Sequence, residues 1–279
     1  MVKDGKMTPR IADGDSIIFF NLRSDRARQL AKVFVQKDFC DLNKNCFTHR
    51  KYLKDLLFVA MTDFGPDLDD ILTAFPSVDL KQTLPMQLAN LKQLYIAETE
   101  KYAHVTYFFN GGYANPVANE ARQVIPSPDV ISYDQVPAMS SDKLTKEVIN
   151  NLAKKRYNFT VLNYAAPDMI GHTGNLTAAI ECCQLVDGYL GKIIKAYLDI
   201  AGTVMVTADH GNIEEMINLA TGEIDTEHST NQVPFIIVNK QLRQVKLRSG
   251  GVLGDIAPTI LELLDYKKPK EMTGKSLII

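Results

Sequence analysis

Long apolar runs, an excess of charge of either sign and Cys-x-x-Cys pairs are all missing from this sequence of 279 residues. No stretch approaches the roughly 20 apolar residues that a bilayer-spanning helix needs. The first ten residues lack the apolar segment of a secretory signal peptide. The formal net charge is −2, which gives no reason to expect the basic face that nucleic-acid binding requires. We therefore expect neither membrane nor nucleic acid as a partner.

The four cysteines indicate the redox setting. Vicinal Cys182 and Cys183 cannot easily form an unstrained disulfide, since their side chains diverge on a helix. Cys40 and Cys46, with His49 nearby, fit no compact zinc spacing, which favours a surface loop. We expect reduced thiols and a cytoplasmic location.

Short β-rich runs alternate with helical patterns, which predicts an α/β fold. Nearly continuous apolar runs are typical of strands buried on both faces of a sheet. The predicted strands are 16–21, 56–60, 105–109, 159–163, 203–208 and 235–238. The predicted helices are 85–98, 176–197, where apolar residues recur every three or four positions, and 256–264, with Asp255 as its N-cap. A domain boundary is expected near residue 75, which divides the chain into 1–75 and 76–279.

Five residues of metal-ligating type lie in three segments of the second half: Asp168, His172, Asp209, His210 and His228. Mixed nitrogen and oxygen ligands suit borderline divalent ions such as manganese or zinc. Asp168 and His172 are four apart, but a proline and a glycine between and beside them favour a loop that enters the following helix. Alone, each residue is more simply a cap or surface group. Together, at the ends of three successive βα units, they predict a metal site at the carboxyl edge of a sheet.

Basic side chains accompany the predicted ligands. Arg23 and Arg26 follow a predicted strand and are three residues apart, so both could bind carboxylate or phosphate oxygens in one cleft. Two solvated arginines in a first helical turn are an equally good interpretation. Lys101 precedes a predicted strand and could hold a phosphate, although an isolated lysine is usually exposed. Two metal ions with such cations would suit phosphoryl transfer.

Five segments, 19–27, 97–112, 163–174, 207–212 and 227–235, together resemble cofactor-independent phosphoglycerate mutase, a member of the alkaline phosphatase superfamily. The Asp-His-Gly motif at 209–211 alone would indicate only the superfamily. The Ala-Glu-Thr-Glu-Lys-Tyr segment at 97–102 and the two-arginine segment narrow the resemblance to the mutase. The resemblance implies an alkaline-phosphatase-like mixed α/β sheet flanked by helices. Residues 1–75 would be the C-terminal remnant of a second, transferase-like domain.

The resemblance also implies an activity, the interconversion of 3-phosphoglycerate and 2-phosphoglycerate in glycolysis through a phosphoserine. Two divalent ions are implied, with manganese expected and zinc, cobalt and magnesium as alternatives, and no 2,3-bisphosphoglycerate. Family members are monomers, and phosphoglycerate is the small-molecule partner.

The resemblance assigns a role to each candidate residue. Asp168, His172 and His228 would hold one ion, and Asp209 and His210 would contribute to the other. Lys101 would contact the phosphoryl group. Arg23 and Arg26 would bind the substrate.

The sequence departs from the family at one essential point. The nucleophilic serine and an aspartate that ligates the second metal lie in an N-terminal segment with no counterpart here, and Ser229 is more economically a polar loop residue than a substitute. We expect a fragment, or one part of a split enzyme, that is poorly active alone and exposes sheet edges and apolar surface. Two alternatives stay open, another phosphatase or phosphomutase of the superfamily and a non-catalytic chain that binds metal.

Overall fold

The structure, a computed structural model, describes residues 2–279 apart from 4–5, 8–9, 23, 44–45, 48–50, 66–67, 69 and 77–79. For 2–3, 6–7 and 24–26 it describes the backbone alone. The chain forms two compact units, Met1–Val78 and Asp79–Ile279. Each unit has its own sheets and its own core.

The first unit is built around a parallel sheet of three strands in the order β3–β4–β5. Its elements are β1 Val2–Lys3, β2 Lys6–Met7, β3 Ser16–Phe19, α1 Ser24–Val35, α2 Phe39–Leu42, β4 Leu57–Thr62 and β5 Leu72–Phe75. β1 and β2 form a separate antiparallel pair. The core of the unit packs Phe58 and Ala60 of β4 with Ala27 and Ala31 of α1. The small alanines allow the helix to approach the sheet closely.

The second unit contains the remaining helices and strands. They are α3 Leu84–Gln87, β6 Gln93–Glu98, α4 Tyr102–Val105, α5 Tyr107–Asn110, β7 Glu120–Ile125, α6 Ser141–Ala153, β8 Phe159–Asn163, α7 Ala166–Gly171, α8 Leu176–Asp199, β9 Val204–Thr207, β10 Phe235–Val238 and α9 Ile256–Leu263. Three 3-10 turns, at Thr99–Lys101, Tyr133–Gln135 and Leu253–Asp255, connect them. The predicted α/β class is confirmed, with parallel strands flanked by helices.

β6 is the central strand of the second unit, because it pairs in parallel with β7 on one side and β8 on the other. All six of its residues are buried. Leu94 and Ile96 pack in one cluster with residues of α6 and α8, whereas Tyr95 and Ala97 pack with Val105 in another. The alternation follows from the two-residue period of a strand. Both faces of β6 are therefore covered, as its apolar sequence requires.

The prediction of a helix over 85–98 is wrong. Only its first residues are helical, in α3, and residues 93–98 form β6. Short apolar runs do not distinguish a buried strand from a buried helix by periodicity alone, and the contacts of the sheet decide between them.

The prediction of a strand over 105–109 is also wrong, because two single-turn helices, α4 and α5, occupy this segment. They lie against the face of β6 that carries Tyr95, and the Tyr95 and Phe109 rings are 5.6 Å apart. Phe109, one of the aromatic residues that favoured a strand here, instead covers the central strand.

The other predicted strands appear as β3, β4, β8, β9 and β10. β8 and β10 have the predicted bounds, and the ends of the other three differ by at most two residues. The predicted helices α8 and α9 are confirmed. Asp255 lies at the N-cap position, but its carboxylate accepts from the backbone N–H groups of Val252 and Lys275 rather than from α9. No helix in the described part of the chain is both long and apolar enough to cross a bilayer.

The expectation of reduced thiols is wrong for one pair, since Cys40 and Cys46 form a disulfide. Their Cα atoms are 5.4 Å apart, within the range that a disulfide spans. The Phe39 and Phe47 rings, 5.7 Å apart, bring the same two parts of the chain together. Cys182 and Cys183 are free thiols.

Glu98, the last residue of β6, is fully buried, and its oxygens have no hydrogen-bond partner of good geometry among the described groups. Burial raises the pKa of Glu98 to about 7, although the nearby Ser140 backbone and Ser127 hydroxyl act in the opposite direction. The next three residues form the turn that ends in Lys101. The buried Glu98 therefore immediately precedes the turn that carries the candidate site residue Lys101.

We expect Glu98→Gln to flatten the pH dependence of stability. Because the folded pKa exceeds the ordinary value of 4.5, stability that is present below about pH 4.5 is lost as pH rises through 7. Wild-type protein should lose roughly 1–3 kcal/mol more than the variant between pH 4.5 and 8, measured by urea unfolding. The exposed Glu181→Gln is the matched control. Parallel curves for wild type and Glu98→Gln would contradict the assignment.

Candidate metal centre

β8 and α7 deliver the first two candidate ligands. β8 ends at Asn163, Asp168 lies in the first turn of α7, and His172 is the C-cap of that helix. The prediction of a loop here is wrong, because Pro167 occupies the first turn, where its missing N–H costs nothing. Asp168 and His172 therefore lie one turn apart on the same helix face.

The third candidate ligand, His228, lies in the loop before an antiparallel strand. β10 runs antiparallel to β9, and its first residue, Phe235, pairs with Thr207, the last residue of β9. The loop before β10, which carries His228, therefore returns to the edge where Asp209 and His210 follow β9. The expectation of three successive βα units is corrected accordingly, since β9 leads into a long loop rather than a helix.

Three ligand atoms form a nearly equilateral triangle. Asp168 Oδ1 lies 3.2 Å from His172 Nε2 and 3.3 Å from His228 Nε2, and the two Nε2 atoms are 3.3 Å apart. Ligands at about 2.1 Å from a tetrahedral ion are separated by about 3.4 Å. The donor set and its spacing therefore fit a divalent ion of the zinc or manganese type. Among the described residues, these three are the group whose ligand atoms lie within 4.8 Å of one another.

The hydrogen bond of His172 prepares it for this role. His172 Nδ1 is 2.7 Å from the Thr226 carbonyl oxygen, which can only accept, so Nδ1 carries the proton. The Nε2 lone pair is then free to face Asp168 and His228. A backbone carbonyl that fixes the tautomer in this way is typical of metal-binding histidines.

Asn212 braces the first two ligands. Its buried amide nitrogen donates to Asp168 Oδ1 at 2.7 Å and to the Asp168 backbone oxygen at 3.2 Å, and it lies 3.4 Å from His172 Nε2. The opposite amide orientation would place two oxygens together, so the contact with Asp168 sets the orientation. The Asn212 oxygen has no partner among the described groups.

Lys101 contacts both Asp168 and the second pair of candidate ligands, Asp209 and His210. Its Nζ lies 2.7 Å from Asp168 Oδ2, 3.6 Å from Asp209 Oδ2 and 3.4 Å from His210 Nε2. The side chain is buried. The His210 ring stacks on the His228 ring with centroids 3.8 Å apart. All six candidate groups of this unit therefore converge.

The electrostatics favour an ionised Asp168 carboxylate beside a neutral His228 imidazole. Burial alone would raise the pKa of Asp168, but hydrogen bonds from Lys101 and Asn212 outweigh it and lower the pKa to about 2. Burial and the neighbouring His210 lower the pKa of His228. Carboxylate and neutral imidazole are the forms that bind a metal ion.

Arg23 lies outside the described residues, and Arg26 belongs to α1 with its side chain outside the description. Ser229, next to His228, donates its hydroxyl to Glu214.

Sequence reasoning did not identify Asn212, Glu214 or Thr226. Asn212 follows the Asp-His-Gly motif directly, so a polar amide in the same segment was an available signal. Thr226 contributes only its backbone oxygen, which no side-chain pattern reveals.

We expect Gly171→Ala to destabilise the protein. A Cβ on Gly171 would lie 2.3 Å from Asn212 Oδ1, so the amide that braces Asp168 would have to move. The expected cost is about 1–3 kcal/mol in chemical unfolding. Gly188 in α8 has nothing within 4 Å, and Gly188→Ala should instead stabilise by about 0.5–1 kcal/mol. A stabilising Gly171→Ala would show that the close contact is not required.

We expect Lys101→Met to remove much of the ion-pair stabilisation of Asp168. The Lys101 and Asp168 side chains are only 5% and 14% exposed, so an uncompensated carboxylate should cost up to about 3–5 kcal/mol at pH 7. Because the folded pKa of Asp168 is depressed, its stabilisation is present above about pH 4 and lost as pH falls toward 2. That acid-dependent loss should shrink in the variant, measured by unfolding of the metal-free chain. The exposed Lys195→Met is the control and should behave as wild type.

Curated proteins are similar to this chain in sequence, and a solved structure is similar to it in fold. The 2,3-bisphosphoglycerate-independent phosphoglycerate mutase of Clostridium kluyveri is 47% identical over 279 residues, covering 99% of this chain and 53% of its own length. The enzyme of the same name from Acaryochloris marina is 48% identical over 277 residues, 96% of this chain and 50% of its own length. The structure of Leishmania mexicana phosphoglycerate mutase at low cobalt concentration matches with a TM-score of 0.85 and 29% identity, covering 100% of this chain and 53% of that one.

These comparisons confirm the resemblance to cofactor-independent phosphoglycerate mutase. The chain spans about half the length of the relatives that it matches. The sequence profile of the metalloenzyme superfamily matches residues 29–268. Because that profile spans most of the 279 residues, the chain belongs to the metalloenzyme superfamily.

Proposed function

We propose that this chain is the metal-binding portion of a phosphoglycerate mutase that interconverts 3-phosphoglycerate and 2-phosphoglycerate in glycolysis. The observation that carries the proposal is the convergence of three metal-ligand atoms with a buried lysine and a second Asp-His pair. Relatives of that name, 44–48% identical in sequence, support the substrate class. We further propose a cytoplasmic location and a monomer at the full length of the relatives.

The proposed metal ligands follow the observed distances. Asp168, His172 and His228 would hold one ion, and Asp209 and His210 would contribute to a second, with manganese proposed for both. Such ions stabilise charge on the attacking and leaving oxygens of a phosphoryl group. Asn212 and Thr226 orient the ligands of the first site, so less rearrangement is needed on binding.

Lys101 is proposed to bind the transferring phosphoryl group. Its ammonium is held among Asp168, Asp209 and His210 on the inner side of the site. A buried, preorganised cation stabilises developing negative charge better than one that must first shed water. Arg23 and Arg26 are proposed to bind the carboxylate or phosphate of the substrate.

The roles proposed for the two parts of the chain follow from the resemblance to the mutase. Residues 1–75 are proposed as part of a substrate-binding, transferase-like domain and 76–279 as most of a phosphatase-like domain. The serine nucleophile of the phosphoserine step is proposed to lie in the half of the relatives' length that this chain does not span. Metal and phosphoryl binding would be the contribution of the present residues.

We expect the 279-residue chain to bind Mn²⁺ and Asp168→Asn and His172→Ala to bind it far more weakly. His172→Ala removes a ligand atom of the triangle, and Asp168→Asn replaces the anionic carboxylate with a neutral amide that binds a cation more weakly. The loss should therefore exceed the roughly 10–100-fold that outer groups typically contribute. Titration calorimetry and the Mn²⁺ electron paramagnetic resonance signal measure the affinity. Asp142→Asn neutralises a partly exposed carboxylate of α6 and should leave the affinity unchanged.

Activity separates the proposed mutase from the alternatives. The 279-residue chain should show little turnover of 3-phosphoglycerate, because the proposed nucleophile lies outside it. Robust mutase turnover by this chain would contradict that part of the proposal. Hydrolysis of an aryl phosphate in preference to 3-phosphoglycerate would favour a phosphatase, and wild-type affinity in Asp168→Asn would contradict the metal site itself.

A further inference from the structure

The carboxylate of Glu214 connects the two loops that carry the site histidines. Its Oε2 accepts from the backbone N–H of Asn212 at 2.8 Å, in the loop after β9. Its Oε1 accepts from the Ser229 hydroxyl and, at 3.2 Å, from the Asn231 amide, both in the loop before β10. One side chain therefore connects two segments of the chain, since Ser229 and Asn231 lie 15 and 17 residues after Glu214.

Ser229 is held from two directions. Its hydroxyl donates to Glu214, and its backbone N–H donates to the Gly211 carbonyl at 3.1 Å. Ser229 is the immediate neighbour of His228, so these two bonds fix the backbone from which the His228 ring projects. The His228 Nε2 position, 3.3 Å from both Asp168 Oδ1 and His172 Nε2, depends on that backbone.

Gly211 shows how closely the loops approach. A Cβ at this position would lie 2.1 Å from Ser229 Oγ and 2.4 Å from Glu214 Oε1. Only a residue without a side chain leaves room for the Glu214–Ser229 contact directly behind His210. The glycine of the Asp-His-Gly motif is thus required for the contact of the two loops.

We infer that Glu214 is a positioning residue of the metal centre, which acts through Ser229 to hold His228 at ligand distance from Asp168 and His172. The inference rests on the proposed metal site. Glu214 touches none of the three ligands of the triangle in these contacts, so its effect is on their placement. The ligand class concerned is a divalent cation.

The neighbouring Glu215 provides a matched control. It has the same charge and also accepts from the Asn231 amide, at 2.8 Å, but it is not bonded to Ser229. A general loss of negative charge would affect Glu214→Ala and Glu215→Ala equally. A positioning role through Ser229 would separate them.

The test is Co²⁺ and Mn²⁺ binding by the 279-residue chain and its variants. Co²⁺ absorption reports coordination geometry, and Mn²⁺ affinity is measured by calorimetry. We expect Glu214→Ala to weaken Mn²⁺ binding about 10–100-fold and to alter the Co²⁺ spectrum, with Glu215→Ala near wild type. Glu214→Gln retains an acceptor oxygen for Ser229 and should recover much of the affinity.

Ser229→Ala covers the case in which Glu214→Ala does not fold. It removes only the hydroxyl, and it should weaken binding in the same direction; the double variant should lose less than the sum of the two single losses. Equal affinity in Glu214→Ala and Glu215→Ala, with an unchanged Co²⁺ spectrum, would overturn the inference while Asp168→Asn still supports the metal site. Wild-type protein that binds neither ion would overturn the proposed site and this inference together.

Discussion

The carboxylate of Asp168 joins the two halves of the site, because each of its oxygens faces a different set of partners. Oδ1 faces the two imidazoles and the Asn212 amide, whereas Oδ2 meets the Lys101 ammonium at 2.7 Å. The low pKa of Asp168 expresses the same constraint, since protonation would break a buried ion pair. A change on either side of this carboxylate therefore affects the other side.

Asp168 contacts both sets of partners because the register of the strands places Lys101 and Asp168 at the same edge of the sheet. β6 and β8 pair with Ala97 opposite Asn163, so Lys101 and Asp168 leave the sheet at the same edge. β6 is buried on both faces and hydrogen-bonded on both sides. Such a strand is among the most rigid positions in a fold, and it places the lysine without relying on loop contacts.

The sequence predicted which side chains lie close together more accurately than it predicted the elements that carry them. The candidate ligands could be chosen from the sequence because histidine beside aspartate is uncommon and its chemistry is specific. The helical setting of Asp168 was missed because a proline and a glycine were interpreted as helix breakers, although proline is compatible with a first turn. The strand β6 was predicted as a helix, and the segment of α4 and α5 was predicted as a strand. Short apolar segments do not determine their own secondary structure, because tertiary contacts decide it. Asn212 and Glu214 act through geometry, which only the folded chain displays.

Because β10 runs antiparallel to β9, the segment that joins them begins and ends at the metal centre. Asp209 and His228 are the first and last candidate ligands in the segment between β9 and β10. A β-bridge between Ile217 and Ile224 closes a small hairpin within this segment. Bringing the two ends of such a segment together carries an entropic cost that grows only slowly with its length, by about 0.6 kcal/mol for each doubling. The segment between Ile217 and Ile224 can therefore be lengthened or shortened with little effect on the closure that brings the candidate ligands together.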